Sequence, residues 1–181
     1  MFPTWDSDLL YRINQAHQPW LDQAMVIISG KLTWIPLYAI LIYLLFKAYK
    51  TEVWKSILYL ICAVILADQI SSSIFKPLFK RLRPCHVEAF QSWIHLPDGC
   101  GGLYGFCSSH AANAFAVAIG FYLLTKNKFM GVLLVVWAMM ISYSRIYLGA
   151  HYPLDVLTGA IIGGLGAFIL NQAFVKLTKN S

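Results

Sequence analysis

The sequence predicts an all-α, polytopic membrane helix bundle of five to six transmembrane helices, with an N-terminal amphipathic helix at the membrane interface. Three observations carry this. Of 181 residues, 59% are hydrophobic and only 12% are charged, about half the charged share of a soluble domain. The apolar residues fall in long uncharged blocks, and a helix needs about 20 such residues to cross a bilayer. The net charge is +6, but the basic residues flank those blocks or gather in one loop. The flanking ones read as topology signals, and not as a nucleic-acid surface; the loop cluster needs a separate account. There is no internal repeat and no low-complexity segment. The length fits one domain, residues 1–181, with an outward loop at 76–109.

The elements follow in order. Residues 4–16 place Trp5, Leu9, Leu10 and Ile13 at helical spacing, with Asp6, Asp8, Arg12 and Asn14 between them. This is the pattern of a short helix lying in the interface. The segment from Met1 to Asp6 has no basic start, so targeting is expected to lie in the spans themselves. Residues 20–30 are apolar but broken by Asp22 and Gly30, and read as a half-buried helix; were they to span, the count would be six. The five spans are expected at about Thr33–Phe46, Val53–Phe75, His110–Leu124, Phe129–Tyr147 and Leu154–Val175. The last holds Gly159, Gly163, Gly164 and Gly166, small residues that let helices approach closely in lipid.

Orientation comes from the short loops. Lys47, Lys50 and Lys55, then Lys126 and Lys128, then Lys176 and Lys179 fall on one side, which the positive-inside rule makes cytoplasmic. The opposite loop nevertheless carries Lys76, Lys80, Arg81 and Arg83. Four cations on the wrong side call for an anionic ligand.

Three stretches at outward helix ends hold the chemistry. They are Lys76-Pro77-Leu78-Phe79-Lys80-Arg81-Leu82-Arg83-Pro84, Cys107-Ser108-Ser109-His110, and Ser144-Arg145 through His151 to Asp155. His151 and Asp155 are one helical turn apart, so the carboxylate can hold one ring nitrogen and leave the other free as a nucleophile. His110 is placed to protonate a leaving oxygen. Lys76, Arg83 and Arg145 bring fixed positive charge, and Ser108 and Ser109 bring hydroxyls and helix-start N–H groups. Such a cage stabilises charge on a phosphoryl group in transit.

Together the stretches resemble the three-part signature of the type 2 phosphatidic acid phosphatase (PAP2) family, KxxxxxxRP, PSGH and SRxxxxxHxxxD. The first and third match at every specified position; the second has Cys107 for Pro and Ser109 for Gly. The resemblance implies His151 as nucleophile, Asp155 as its orienting partner and His110 as general acid. It implies a phosphate site at Lys76, Arg83, Ser108, Arg145 and the Ser109 backbone, with no metal or other cofactor. A serine at 109 can still offer its N–H if its φ is negative.

Other residues carry structural expectations. Lys80 and Arg81 are expected to draw anionic headgroups, and His17, His86 and His95 to be interfacial. Asp68 should bond within the bundle, with a proton path as the alternative. Cys62 is expected as inert packing. Cys85–Cys100 is the expected bridge, with Cys107 free; the alternative is three free thiols. The glycine run from Gly99 to Gly105 reads as a flexible cover, with Phe90, Trp93, Tyr104 and Phe106 against lipid tails. The expected protein is thus a lipid phosphate or diphosphate phosphatase of a bacterial inner membrane, its site facing the periplasm. Undecaprenyl diphosphate leads as substrate, ahead of phosphatidylglycerol phosphate and lipid A. The expected partners are the bilayer and its lipid phosphates, with neither nucleic acid nor an obligate protein partner. A lipid phosphotransferase and a non-catalytic lipid-binding or transport module are the rival classes.

Overall fold

The computed structural model of the chain describes residues 2–179, with side chains to residue 176; Lys179 closes the last helix, and its side chain lies outside the described residues. The helices are α1 (Thr4–Gln15), α2 (Pro19–Ser29), α3 (Ile35–Tyr49), α4 (Val53–Gln69), α5 (Lys76–Phe79), α6 (Ser109–Thr125), α7 (Lys128–Tyr147) and α8 (Pro153–Lys179). Among the described residues, three helical stretches are long and apolar enough to cross a membrane: Leu32–Phe79, Lys128–Tyr147 and Pro153–Lys176. The first is interrupted at Lys50, whose φ of 48° separates α3 from α4. The two helices then pack on each other. At 11 residues, α2 is only about 16 Å long, which is too short for a bilayer core. Between α6 and α7, Lys126 takes a left-handed turn and the Asn127 side chain accepts the Met130 N–H at 3.1 Å, a cap that restarts the chain as a helix.

The middle of the bundle is α6, which packs on α4, α7 and α8. Its buried positions are nearly all small: Ala111, Ala112, Ala114, Ala116, Ala118 and Gly120. Ala63 and Ala67 of α4 and Ala167 of α8 complete a thin seam. Gly159 and Gly163 are the glycines that matter on α8. A Cβ at Gly159 would run into the Ser108 carbonyl, and one at Gly163 into the Ala112 backbone. Gly164 and Gly166 leave ordinary room, so close approach accounts for only the first two. The bundle's outside is apolar, with Ile42, Phe46, Ile61, Ile65, Val132, Leu165 and Ile169 all exposed. A surface of that kind is a lipid-facing belt.

The N-terminal helix departs from the expected interface pattern. Its Asp6 and Asn14 are fully buried, pointing into the protein while Trp5 and Leu9 stay exposed. Asn14 donates to the carbonyls of His95 and Tyr147, both at 2.8 Å. Leu10 joins Ala111, Ile146, Tyr152 and Val156 in a small core at the same end of the bundle.

Candidate active site

The turn between α7 and α8 places His151. Both the Ala150 and His151 N–H groups donate to the Arg145 carbonyl at 3.1 Å. Gly149, with φ +68°, lets the chain turn against the outer loop, where a Cβ would lie 2.8 Å from Leu96. This buries the His151 ring, 1% exposed. One turn further on, Asp155 is fully buried. Its Oδ2 is 3.4 Å from His151 Nδ1 and accepts the Tyr152 N–H at 3.2 Å. The 3.4 Å separation is contact and not a formed hydrogen bond, and His151 Nδ1 is left without a hydrogen-bond partner. Burial, and then the Arg83 and Arg145 charges, hold the imidazole well below the usual histidine range. A ring so placed is neutral, as a nucleophile must be.

The remaining motif residues converge on the same end. The chain before Lys76 is a π-helical turn, Ile70–Phe75. On an α-helix, residues i and i+5 are about 140° apart; a π-turn, whose bonds run i to i+5, brings them together. Ser71 Oγ and Lys76 Nζ accordingly both reach Ser109 Oγ, at 2.8 and 2.9 Å. Ser109 is the first residue of α6, and its N–H is one of those a helix start leaves free. Its φ is not positive, so the Gly-to-Ser departure leaves that N–H available. The Ser108 N–H donates to the Asp155 carbonyl at 2.9 Å, joining the second motif to the third, while its hydroxyl is buried without a partner. Arg83 reaches the Ala150 carbonyl at 3.4 Å, and Arg145 contacts Ser29 Oγ and lies 3.5 Å from Asp98. Each arginine keeps a buried Nε with no partner. Burial lowers the Arg83 pKa from its ordinary value. His110 has Arg145 and Arg83 among its charged neighbours, with the His151 ring beside it.

From His110 an apolar groove of about 600 Å³ runs between α3, α4 and α6, past Tyr38, Leu41, Ile61 and Val117. Asp68 and Asn113 sit at its head, joined by a 3.1 Å bond from the Asn113 amide to the carboxylate. That is the structural bond expected of Asp68. Exposed Ile42, Ile61 and Ile65 leave the groove open on the lipid side.

Several expectations need correction. Arg81 is no headgroup attractor. It is buried, with Nη1 2.7 Å from Asp155 Oδ1 and Nη2 2.6 Å from Asp6 Oδ2. Its guanidinium lies between the rings of Phe2 and Tyr152, at 3.9 and 3.6 Å. Lys80 is exposed. Burial pushes the Asp6 carboxyl up, while the Leu154 N–H and Arg81 act against it. The glycine run is pinned and not a free cover. Arg83 N–H donates to the Leu103 carbonyl at 3.0 Å and Gly105 N–H to the Arg81 carbonyl at 2.9 Å. The sulfurs of Cys85 and Cys100 are bonded. Gly105 sits so close that a Cβ would lie 3.0 Å from Asp155 Oδ2. Phe106 is buried among Phe2, Phe75 and Phe79, so it is no tail contact, while half-buried Trp93 packs on Tyr11 and Phe90. His17 and His95, expected to be interfacial, also stack at 3.8 Å, and His95 Nε2 is 2.9 Å from Asp22 of α2. Cys62 faces outward, and Cys107 is free and buried, its thiol pushed up to about 11 by that burial. Asp6 and Asp98 are the acids that spacing alone did not single out. No local motif marks either; the burial of Asp6 on an otherwise amphipathic helix comes from packing.

Comparison with known proteins agrees with this geometry. Residues 54–179 match the family model described as the PAP2 superfamily. The chain is 39% identical to a lipid A 4′-phosphatase of Bacteroides thetaiotaomicron, over 96% of this chain and 78% of that one. It is 30% identical to an undecaprenyl-diphosphatase of Sulfolobus acidocaldarius, over 91% and 76%. The crystal structure of Aquifex aeolicus LpxE superposes with a TM-score of 0.69 at 27% identity, covering 91% of this chain and 93% of that one. The chain belongs to the PAP2 superfamily.

Proposed function

We propose that this PAP2 phosphatase removes a terminal phosphomonoester from a lipid A-type glycolipid, through a phosphohistidine at His151. The observation that carries the chemistry is the set of buried donors without partners, Arg83 Nε, Arg145 Nε and Ser108 Oγ, gathered about a buried neutral imidazole. A buried unsatisfied donor costs about 1–3 kcal/mol, and phosphate oxygens would satisfy all three. Lys76 and the Ser109 N–H complete the seat. His151 Nε2 attacks phosphorus while its Nδ1–H faces Asp155. The P–O bond to the lipid breaks with its electron pair on the leaving oxygen, which takes a proton from His110. Water, giving a proton back to His110, then attacks phosphorus; the N–P bond breaks with its electron pair returning to His151 Nε2, and free phosphate leaves.

The groove below His110 supports a substrate that keeps its acyl chains in the bilayer. The higher identity to the lipid A 4′-phosphatase supports lipid A over undecaprenyl diphosphate, reversing the order expected from the family resemblance. In the arrangement we infer, α3, α4 with α5, α6, α7 and α8 make five spans of a bacterial inner membrane. Loops 47–55 and 125–128 then face the cytoplasm and the site faces the periplasm.

The test uses purified full-length protein with lipid A 1,4′-bisphosphate, undecaprenyl diphosphate and phosphatidylglycerol phosphate. Fastest phosphate release from lipid A is expected, with a rapid-quench phosphoenzyme that is lost in His151→Ala. Full turnover by that variant would sink the mechanism. Turnover of undecaprenyl diphosphate alone would overturn the substrate, and label passing to an acceptor without free phosphate would make the protein a transferase.

A further inference from the structure

Asp155 has two oxygens, and its short bond goes to Arg81 at 2.7 Å, not to His151 at 3.4 Å. Held through Oδ1 by the guanidinium and through Oδ2 by the Tyr152 N–H, the carboxylate cannot rotate. Its Oδ2 is thereby kept facing His151 Nδ1. Arg81 is not available to phosphate: each Nη is given to a carboxylate, and both faces of its plane are covered by rings.

A lone Arg81 would be a poor partner for Asp155, because one cation cancels one carboxylate. The ring that forms on phosphorylation is positive and needs net negative charge beside it. Asp6 supplies this. With Asp6, Arg81 and Asp155 together the buried cluster carries one net negative charge. Asp6 has a second contact, its Oδ1 accepting the Leu154 N–H at 2.7 Å. It thereby caps the start of α8 immediately before Asp155. Asp6 comes from α1, outside the residues matched to the family.

We propose that Asp6 and Arg81 are positioning residues for the reaction: Arg81 fixes the Asp155 carboxylate, and Asp6 keeps the cluster negative enough to stabilise the phosphorylated His151. The N-terminal helix is on this reading part of the catalytic apparatus, and not only an interfacial anchor. The inference rests on the proposed phosphohistidine chemistry.

Asp6→Asn, Asp6→Ser, Asp6→Glu and Arg81→Lys are compared in the full chain on the fastest of the three lipids, with exposed Asp8→Asn as a control on the same helix. Rates are normalised to folded protein by thermal unfolding. Asp6→Asn is expected to lower kcat about tenfold or more with KM within about twofold, slowing phosphoenzyme formation in a single turnover. Asp6→Ser, which keeps an acceptor for Leu154 but no charge, should lose as much. Asp6→Glu should recover most of the rate, and Asp8→Asn should match the wild type. Arg81→Lys, which cannot bridge two carboxylates through a planar fork, should also fall in kcat. Wild-type kcat per folded molecule in Asp6→Asn or Asp6→Ser would overturn the inference. So would a deficit in Asp6→Glu equal to that in Asp6→Asn. If His151→Ala turns over normally, or no lipid is turned over, the phosphohistidine reading fails first and takes this inference with it.

Discussion

Arg81 and Arg83 are two residues apart and both lie at the His151 end of the bundle, yet their surroundings are opposite. Arg81 meets two buried carboxylates and lies between two rings. Arg83 finds one long bond to a carbonyl and keeps a buried nitrogen with no partner, and Arg145 resembles it in that respect. The completed cluster is self-sufficient structure. The incomplete one is costly in isolation, and in the proposed mechanism an arriving phosphate offsets that cost. The contrast explains why two arginines of one motif, equally cationic, serve different ends.

That contrast can be broken experimentally. Loss of His151 should be the largest effect, His151→Ala lowering kcat by about 10⁴-fold or more with little change in thermal stability, as measured by phosphate release and unfolding. Arg145→Ala should cost about 10²–10³ in kcat and leave the unfolding temperature unchanged or higher, because it removes buried like charge. Arg81→Ala should do what Arg145→Ala does not, destabilising the fold by about 3–5 kcal/mol, since it strands Asp6 and Asp155 without a counter-ion. Equal stability losses for the two arginines would remove the distinction. Reducing the Cys85–Cys100 bridge, or replacing it with serines, should cost about 3 kcal/mol for its separation of 15 residues and loosen the segment carrying Arg83. The smallest effect is in pH. His151 is held below its ordinary range by burial and then by Arg83 and Arg145, so its neutral form should persist as pH falls through 6. Arg83→Gln removes a repelling charge, raises the imidazole pKa, and should move the acid limb of the rate profile to higher pH.

Much of this was legible beforehand because it is local. Hydrophobic blocks gave the helices to within a few residues, since a helix in lipid must satisfy its own backbone. His151, Asp155, His110, Lys76, Arg83, Arg145, Ser108 and Ser109 are brought to one end of the bundle as their spacing implied. Other features depend on long-range packing. Nothing in the pattern around Arg81 distinguishes it from Lys80. The first folds inward to acids 74 and 75 residues away in sequence, and the second stays in solvent. Likewise Asp6 and Asn14 look like the polar face of an interfacial helix until the outer loop and α8 are packed against them.

The sequence by itself determined the class of the protein, the residues of its three motifs and the end of the bundle at which they meet, because composition, period and motif spacing are properties of short stretches of chain. Only the tertiary structure decided which buried charges are paired and which are not. It also set the close α6–α8 approach at Gly159 and Gly163, which brings Ser108 to Asp155, and the use of an N-terminal acid to complete the charge behind the histidine. Those outcomes depend on which side chains become neighbours after the chain has folded, and residues far apart in sequence are made neighbours by packing alone.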